Sequence, residues 1–89
     1  MTLIEFKEKA EQIASIHNLN GNAVTVIAGY YGHHIGSNIH YTAQAWHQEK
    51  SKHINSGLQK NPEAALESFK DNLDKHFKQY DQTIKDINL

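Results

Sequence analysis

Between Glu11 and Glu49 the chain has no Asp, Glu, Lys or Arg. A segment this long without a formal charge is poorly suited to an ordinary solvated surface on every side. Its β-branched and aromatic content suits paired strands, where charge is depleted. The formal charges lie in the two end segments. The chain therefore divides into an uncharged centre and two charged flanks.

The flanks carry helical periodicity. Thr2-Leu-Ile-Glu5 forms a capping-box pattern, in which the Thr2 side chain satisfies the Glu5 amide. Leu3, Phe6, Ala10, Ile13 and His17 then recur at three- and four-residue steps, which predicts a helix over about residues 2–18. Asn18, Asn20 and Gly21 supply left-handed stop positions. In the second flank Asn61-Pro62-Glu63 marks a helix start. Leu66, Phe69, Leu73, Phe77, Tyr80, Ile84 and Ile87 extend it over about residues 62–87. Lys70/Asp74, Asp71/Lys75, Asp74/Lys78 and Asp81/Lys85 are opposite-sign pairs at i,i+4 on the other side. Each such pair contributes only a few tenths of a kcal/mol, so that side reads as solvated.

The centre reads as strands over about residues 23–31 and 38–47, with a shorter third over 52–58. The expected fold class is α+β, in the order α-β-β-β-α, within a single domain over residues 1–89. Short connections favour a three-stranded antiparallel meander with two helices packed on one face. Setting Tyr30 against Ile39 and Val26 against Ala43 gathers Val24, Val26, Ala28, Tyr30, Ile39, Tyr41, Ala43 and Ala45 on the helix side. Ile54, Ser56 and Leu58 extend that side if the third strand forms. A slip of one residue would destroy the agreement. The reverse side is then Thr25, Ile27, Gly29, Tyr31, His40, Thr42, Gln44 and Trp46, with His53 and Asn55.

Composition narrows the function classes. The chain has 89 residues, a net charge of −1, nine Lys with no Arg, and no Cys. Thiolate metal sites, disulfides and cysteine nucleophiles are excluded. Broad electrostatic capture of phosphate backbones is disfavoured. No apolar run approaches a membrane span of ~18 residues, and no signal-peptide core opens the chain, so the expected location is cytoplasmic.

The histidine-rich centre holds the candidate chemistry. Gly32 and Gly36 flank His33 and His34 in a segment that lacks the Gly-Lys-Ser/Thr ending of a phosphate loop. His33, His34 and His40 are the metal-ligand candidates, but no carboxylate or Cys lies near them to complete a set of three or four. No cofactor and no catalytic residue is expected, because the serines lack an elbow motif and the carboxylates lie among lysines. The order of elements resembles that of double-stranded-RNA-binding domains (dsRBD), in topology alone. That family carries basic residues at the start of its second helix. Here the matching stretch holds Glu63 and Glu67.

The expected function is that of a small non-enzymatic protein-binding module, of the accessory or inhibitor kind found in bacteria and phage. Tyr31, His33, His34, His40, Gln44 and Trp46 are the expected protein-binding residues. The partner is another protein, with a homodimer as one form, rather than nucleic acid or membrane. RNA binding and histidine-based metal binding are the alternatives. Histidines titrate near neutrality, so acid is expected to loosen a contact lined by His40 and His47.

Overall fold

Thr2 is extended, and its hydroxyl oxygen accepts a hydrogen bond from the Glu5 amide at 3.1 Å. This satisfies one orphan donor at the start of helix α1, Leu3–Ser15. The computed structural model describes residues 1–30 and 39–87. Helix α1 ends in a Schellman motif. Asn18 has a φ of 62°. Its amide donates to the Ser15 carbonyl at 3.0 Å, and the Leu19 amide donates to the Ala14 carbonyl at 3.2 Å. The regular helix therefore stops before Asn18, and Leu19 folds back to pack against the core.

Three strands follow: β1, Val24–Tyr30; β2, Ile39–His47; and β3, Lys52–Asn55. They form an antiparallel sheet in the order β1-β2-β3. Tyr30 lies opposite Ile39 and Val26 opposite Ala43, the register that alternation predicts. Helix α2, Pro62–Ile87, opens with Asn61 accepting from the Ala64 amide at 2.7 Å. The fold is α+β in the order α-β-β-β-α, as expected.

Both helices lie against one side of the sheet. Val24, Ala43, Ala45 and Ile54 are buried with Phe6, Ala10 and Ala14 of α1 and Ala65, Leu66, Phe69 and Leu73 of α2. Alanine at the strand centres leaves room for the helices to approach. Phe6, Phe69 and Leu73 fill that space, each worth about 1.5–3 kcal/mol of burial. The cover is partial. Phe6 meets Tyr41 edge-on at 6.0 Å, and beyond it Ala28 and Ile39 are exposed rather than buried as expected. No helix among the described residues is long and apolar enough to cross a membrane.

The third strand forms but is shorter than expected, and a bulge explains why. Gln44 pairs with Asn55, whereas Tyr41 pairs with Gln59. One residue has been added on the β3 side, opposite Thr42. Gly57 takes a φ of 70° to make the bend. The addition reverses the alternation, so Leu58 is exposed and not in the core.

Ser56 holds the bulge together from a buried position. Its hydroxyl accepts from the Ala43 amide at 3.0 Å and donates to the Gly57 carbonyl at 2.9 Å. Its carbonyl accepts from Gln59 Nε2 and from Ser68 Oγ, which ties the bulge to α2. Replacing Ser56 by Ala removes the acceptor from a buried amide. Urea unfolding of Ser56→Ala is expected to show a loss of about 1–3 kcal/mol. Gly57→Ala is expected to cost roughly 1–2 kcal/mol from its left-handed backbone. An unchanged midpoint for Ser56→Ala would remove the hydroxyl from this role.

Candidate functional site

Residues alternate across a strand, so the register that buries Val24, Ala43 and Ile54 turns their neighbours to the reverse side. This side brings together Thr25 and Ile27 from β1, His40, Thr42, Gln44 and Trp46 from β2, and His53 and Asn55 from β3. No Lys, Asp or Glu occurs among these residues. Neither helix covers the face. Ile27 is 51% exposed and Trp46 is 38% exposed.

Trp46 lies opposite His53 in the register. The two rings meet edge to face with centroids 4.8 Å apart and planes at 84°. This contact fixes the indole on the surface while leaving much of it accessible. Thr42 Oγ1 donates to the Gly57 carbonyl at 3.1 Å, and Asn55 Oδ1 accepts from the Gly57 amide at 2.9 Å. The polar groups beside the bulge are thus held within the sheet, and Ile27 and Trp46 are the exposed large apolar side chains of this face, separated by Thr25 and Gln44.

Of the expected site residues, His40, Gln44 and Trp46 share this face at alternate positions of β2, with His40 and Gln44 half-buried. Tyr31, His33 and His34 lie outside the described residues. Two of the three metal candidates are therefore outside them as well. Among the described residues, no group of three or more metal-capable side chains converges.

His47 departs from expectation. It is 6% exposed and points towards the helices, so it lines no contact on the open face. Its Nδ1 lies 2.8 Å from His76 Nε2, and its ring sits 4.8 Å from that of Phe77. His17 stacks on Phe77 at 4.6 Å and bonds Asp74 Oδ1 through Nε2 at 3.0 Å. Asp74 thus turns to His17, in the turn that follows α1. None of Lys70/Asp74, Asp71/Lys75 and Asp74/Lys78 closes into an ion pair. This cluster joins α1, β2 and α2 beside a groove of about 790 Å³ bordered by Leu19, Trp46, Glu49 and Phe77.

The signals for the cluster are present in the chain. His47 follows Ala45 by two residues and so shares its core-facing side. His76 lies three residues after Leu73, at the border of the apolar stripe. The 2.8 Å contact requires one ring to donate and the other to accept, so it tolerates one proton between the facing nitrogens. Each of His17 and His47 has a ring nitrogen already engaged by Asp74 or His76. Their arrangement fastens the two helices to the end of the sheet.

Comparison with protein-family models, curated proteins and solved structures gives no match.

His76 is held below its ordinary pKa of 6.5, first by burial and then by His47, Lys52, Lys50 and His17. The unfolded chain therefore takes up this proton more readily than the folded one. Its contribution is fully present above about pH 6.5 and is lost as pH falls towards the lowered folded value. Thermal melts are expected to show a lower midpoint at about pH 5.5 than at about pH 8. The difference should shrink in His76→Gln. An equal acid loss in the variant would assign it to other groups.

Proposed function

We propose that this chain is a small non-enzymatic protein-binding module whose binding surface is the open sheet face. One observation carries the reading: Trp46 and Ile27 are exposed on a charge-free sheet face that neither α1 nor α2 covers. Aromatic residues are enriched and charges depleted at the centre of protein interfaces. A tryptophan on a fixed backbone, braced by His53, loses little freedom on binding and is a typical energetic anchor. His40 and Gln44 supply directional polar contacts beside it.

An accessory or inhibitory role through such a face fits the size of the chain, with the partner being another protein. The alternative of RNA binding finds little support. The open face offers no lysine to phosphates, and the start of α2 carries Glu63 with Asn61 already capping it. Counter-ion release, the main source of affinity for nucleic acid, has few groups to act through. The cytoplasm remains the expected compartment for such a module.

Trp46→Ala is the direct test. The variant is expected to keep the wild-type circular dichroism spectrum. It should lose at least ~10-fold in affinity for any protein the wild type retains, the scale of a ~2 kcal/mol anchor. Filter binding to duplex RNA separates the alternative, since RNA affinity must fall steeply between about 50 and 200 mM salt. Loss of folded structure in Trp46→Ala would show that the indole supports the sheet, and would count against the site.

A further inference from the structure

Strand β1 forms one edge of the sheet, and its hydrogen-bonding pattern follows from its neighbours. The Ser56 amide donates to the Ala43 carbonyl at 2.9 Å, and Tyr41 and Gln59 exchange backbone bonds at 2.8 and 3.0 Å. Tyr41 and Ala43 therefore direct their backbone groups to the β3 side. Direction alternates along an antiparallel strand. His40, Thr42 and Gln44 thus direct theirs to β1, where they meet Gly29, Ile27 and Thr25. The amides and carbonyls of Val26 and Ala28 point outward, as does the Tyr30 amide. The Val24 amide is closed onto the Gly21 carbonyl. Among the described residues, nothing pairs with this outer edge.

The two edges of the sheet are treated differently. The β3 edge is short, begins with Lys52 and ends in the Gly57 bulge, all devices that discourage further pairing. The β1 edge is Val-Thr-Val-Ile-Ala-Gly-Tyr, with no charge, proline or bulge. Exposed aliphatic groups lie on both sides of it. Ile27 stands on the open face. On the helix side Leu3, 54% exposed, and Ile4, 72% exposed, line a cleft of about 280 Å³ with Val26.

We propose that the β1 edge pairs with the β1 edge of a second copy of this chain, antiparallel about a two-fold axis at Ile27. In this register Val26 exchanges both backbone bonds with Ala28 of the other copy, and the Tyr30 amide reaches the Val24 carbonyl. The two sheets join into one continuous sheet. Ile27 meets its own counterpart at a non-hydrogen-bonded position, with Cα atoms about 4.5 Å apart. Thr25 faces Gly29, where the missing side chain leaves space. The cleft at Leu3 and Ile4 lies beside Val26, one residue from the axis, so the two clefts close on each other.

Charge permits the self-pairing. The rim of the cleft carries Lys7 together with Glu8 and Glu11, with Lys7 bonded to Glu11 at 2.6 Å. With both signs present and Lys7 already paired to Glu11, each rim presents a net formal charge of only −1 to its copy. A seven-residue strand spans about 24 Å at 3.4 Å per residue. With one side-chain layer on each face, the contact covers on the order of 450 Å² per copy, near the lower limit for a specific interface. The dimer should therefore dissociate in the micromolar range and be visible at the concentrations used for sedimentation.

This pairing shares Ile27 with the open face but does not use Trp46, so Trp46→Ala should leave the mass unchanged while it weakens binding of a different protein. Sedimentation velocity from about 1 to about 300 µM is expected to follow the mass from that of one 10.1 kDa chain towards twice that value, as micromolar affinity requires. Ile27→Lys sets two like charges together, and Ala28→Pro removes an outward amide that no described neighbour uses. Both variants should weaken the dimer by at least ~10-fold while keeping the wild-type circular dichroism spectrum. The chain has no cysteine, so single introduced thiols report the register. Ile27→Cys should oxidise to a linked dimer, because ~4.5 Å lies within disulfide range, whereas Thr25→Cys should not. A monomer throughout the concentration range, or equal cross-linking by the two cysteine variants, would overturn the proposal. A dimer that persists in both Ile27→Lys and Ala28→Pro would do the same.

Discussion

The pairing of Val26 with Ala43 decides the side on which every strand residue lies. Side chains alternate with a period of two, so no residue in β1 or β2 can change face without moving all the others. This register places Val24, Ala45 and Ile54 under the helices, and their packing with Phe6, Phe69 and Leu73 forms the core. It also places Ile27, Gln44 and Trp46 in the open. The buried face and the proposed binding face are two consequences of one alignment.

Partial cover by the helices gives the sheet its two working regions. At the β1 start and β2 end, α1 and α2 pack closely, and the imidazoles of His17, His47 and His76 bond across the elements there. At the other end, beyond Phe6 and Tyr41, the strands emerge from beneath the helices, and Ala28 and Ile39 are exposed. The first region holds His76, whose pKa burial and its neighbours keep low. The second carries the outward amides of β1. Acid would therefore act first where the helices are fastened, away from the strand edge.

The order of the elements was legible because each signal is local. Thr2 and Asn61 are caps, Asn18 is a left-handed stop, and β-branched alternation marks β1 and β2. The register was legible because only one alignment placed the apolar residues on a common side. The open face followed directly, including the positions of His40, Gln44 and Trp46. The bulge was less accessible, since Gly57 is one of several glycines and nothing nearby announces an added residue; Leu58 was consequently assigned to the wrong side. The histidine cluster depends on the rotation of α2 about its axis and on contacts between residues far apart in sequence. The charged pairs on α2 were read from spacing alone, and Asp74 instead bonds His17, just past the end of α1.

The Gly57 bulge has a consequence for how the gene can vary. Between Ile54, which must face the core, and Asn61, which must cap α2, the chain makes its turn with one residue more than a straight ladder would use. Leu58 sits on the surface, and many side chains fit there. Loss of the Gly57 codon would straighten the ladder: Leu58 would stand alone opposite Thr42, and Gln59 would keep its place opposite Tyr41. The chain would then still reach Asn61 from the same side. The added residue can thus be gained or lost without re-aiming the helix that follows it.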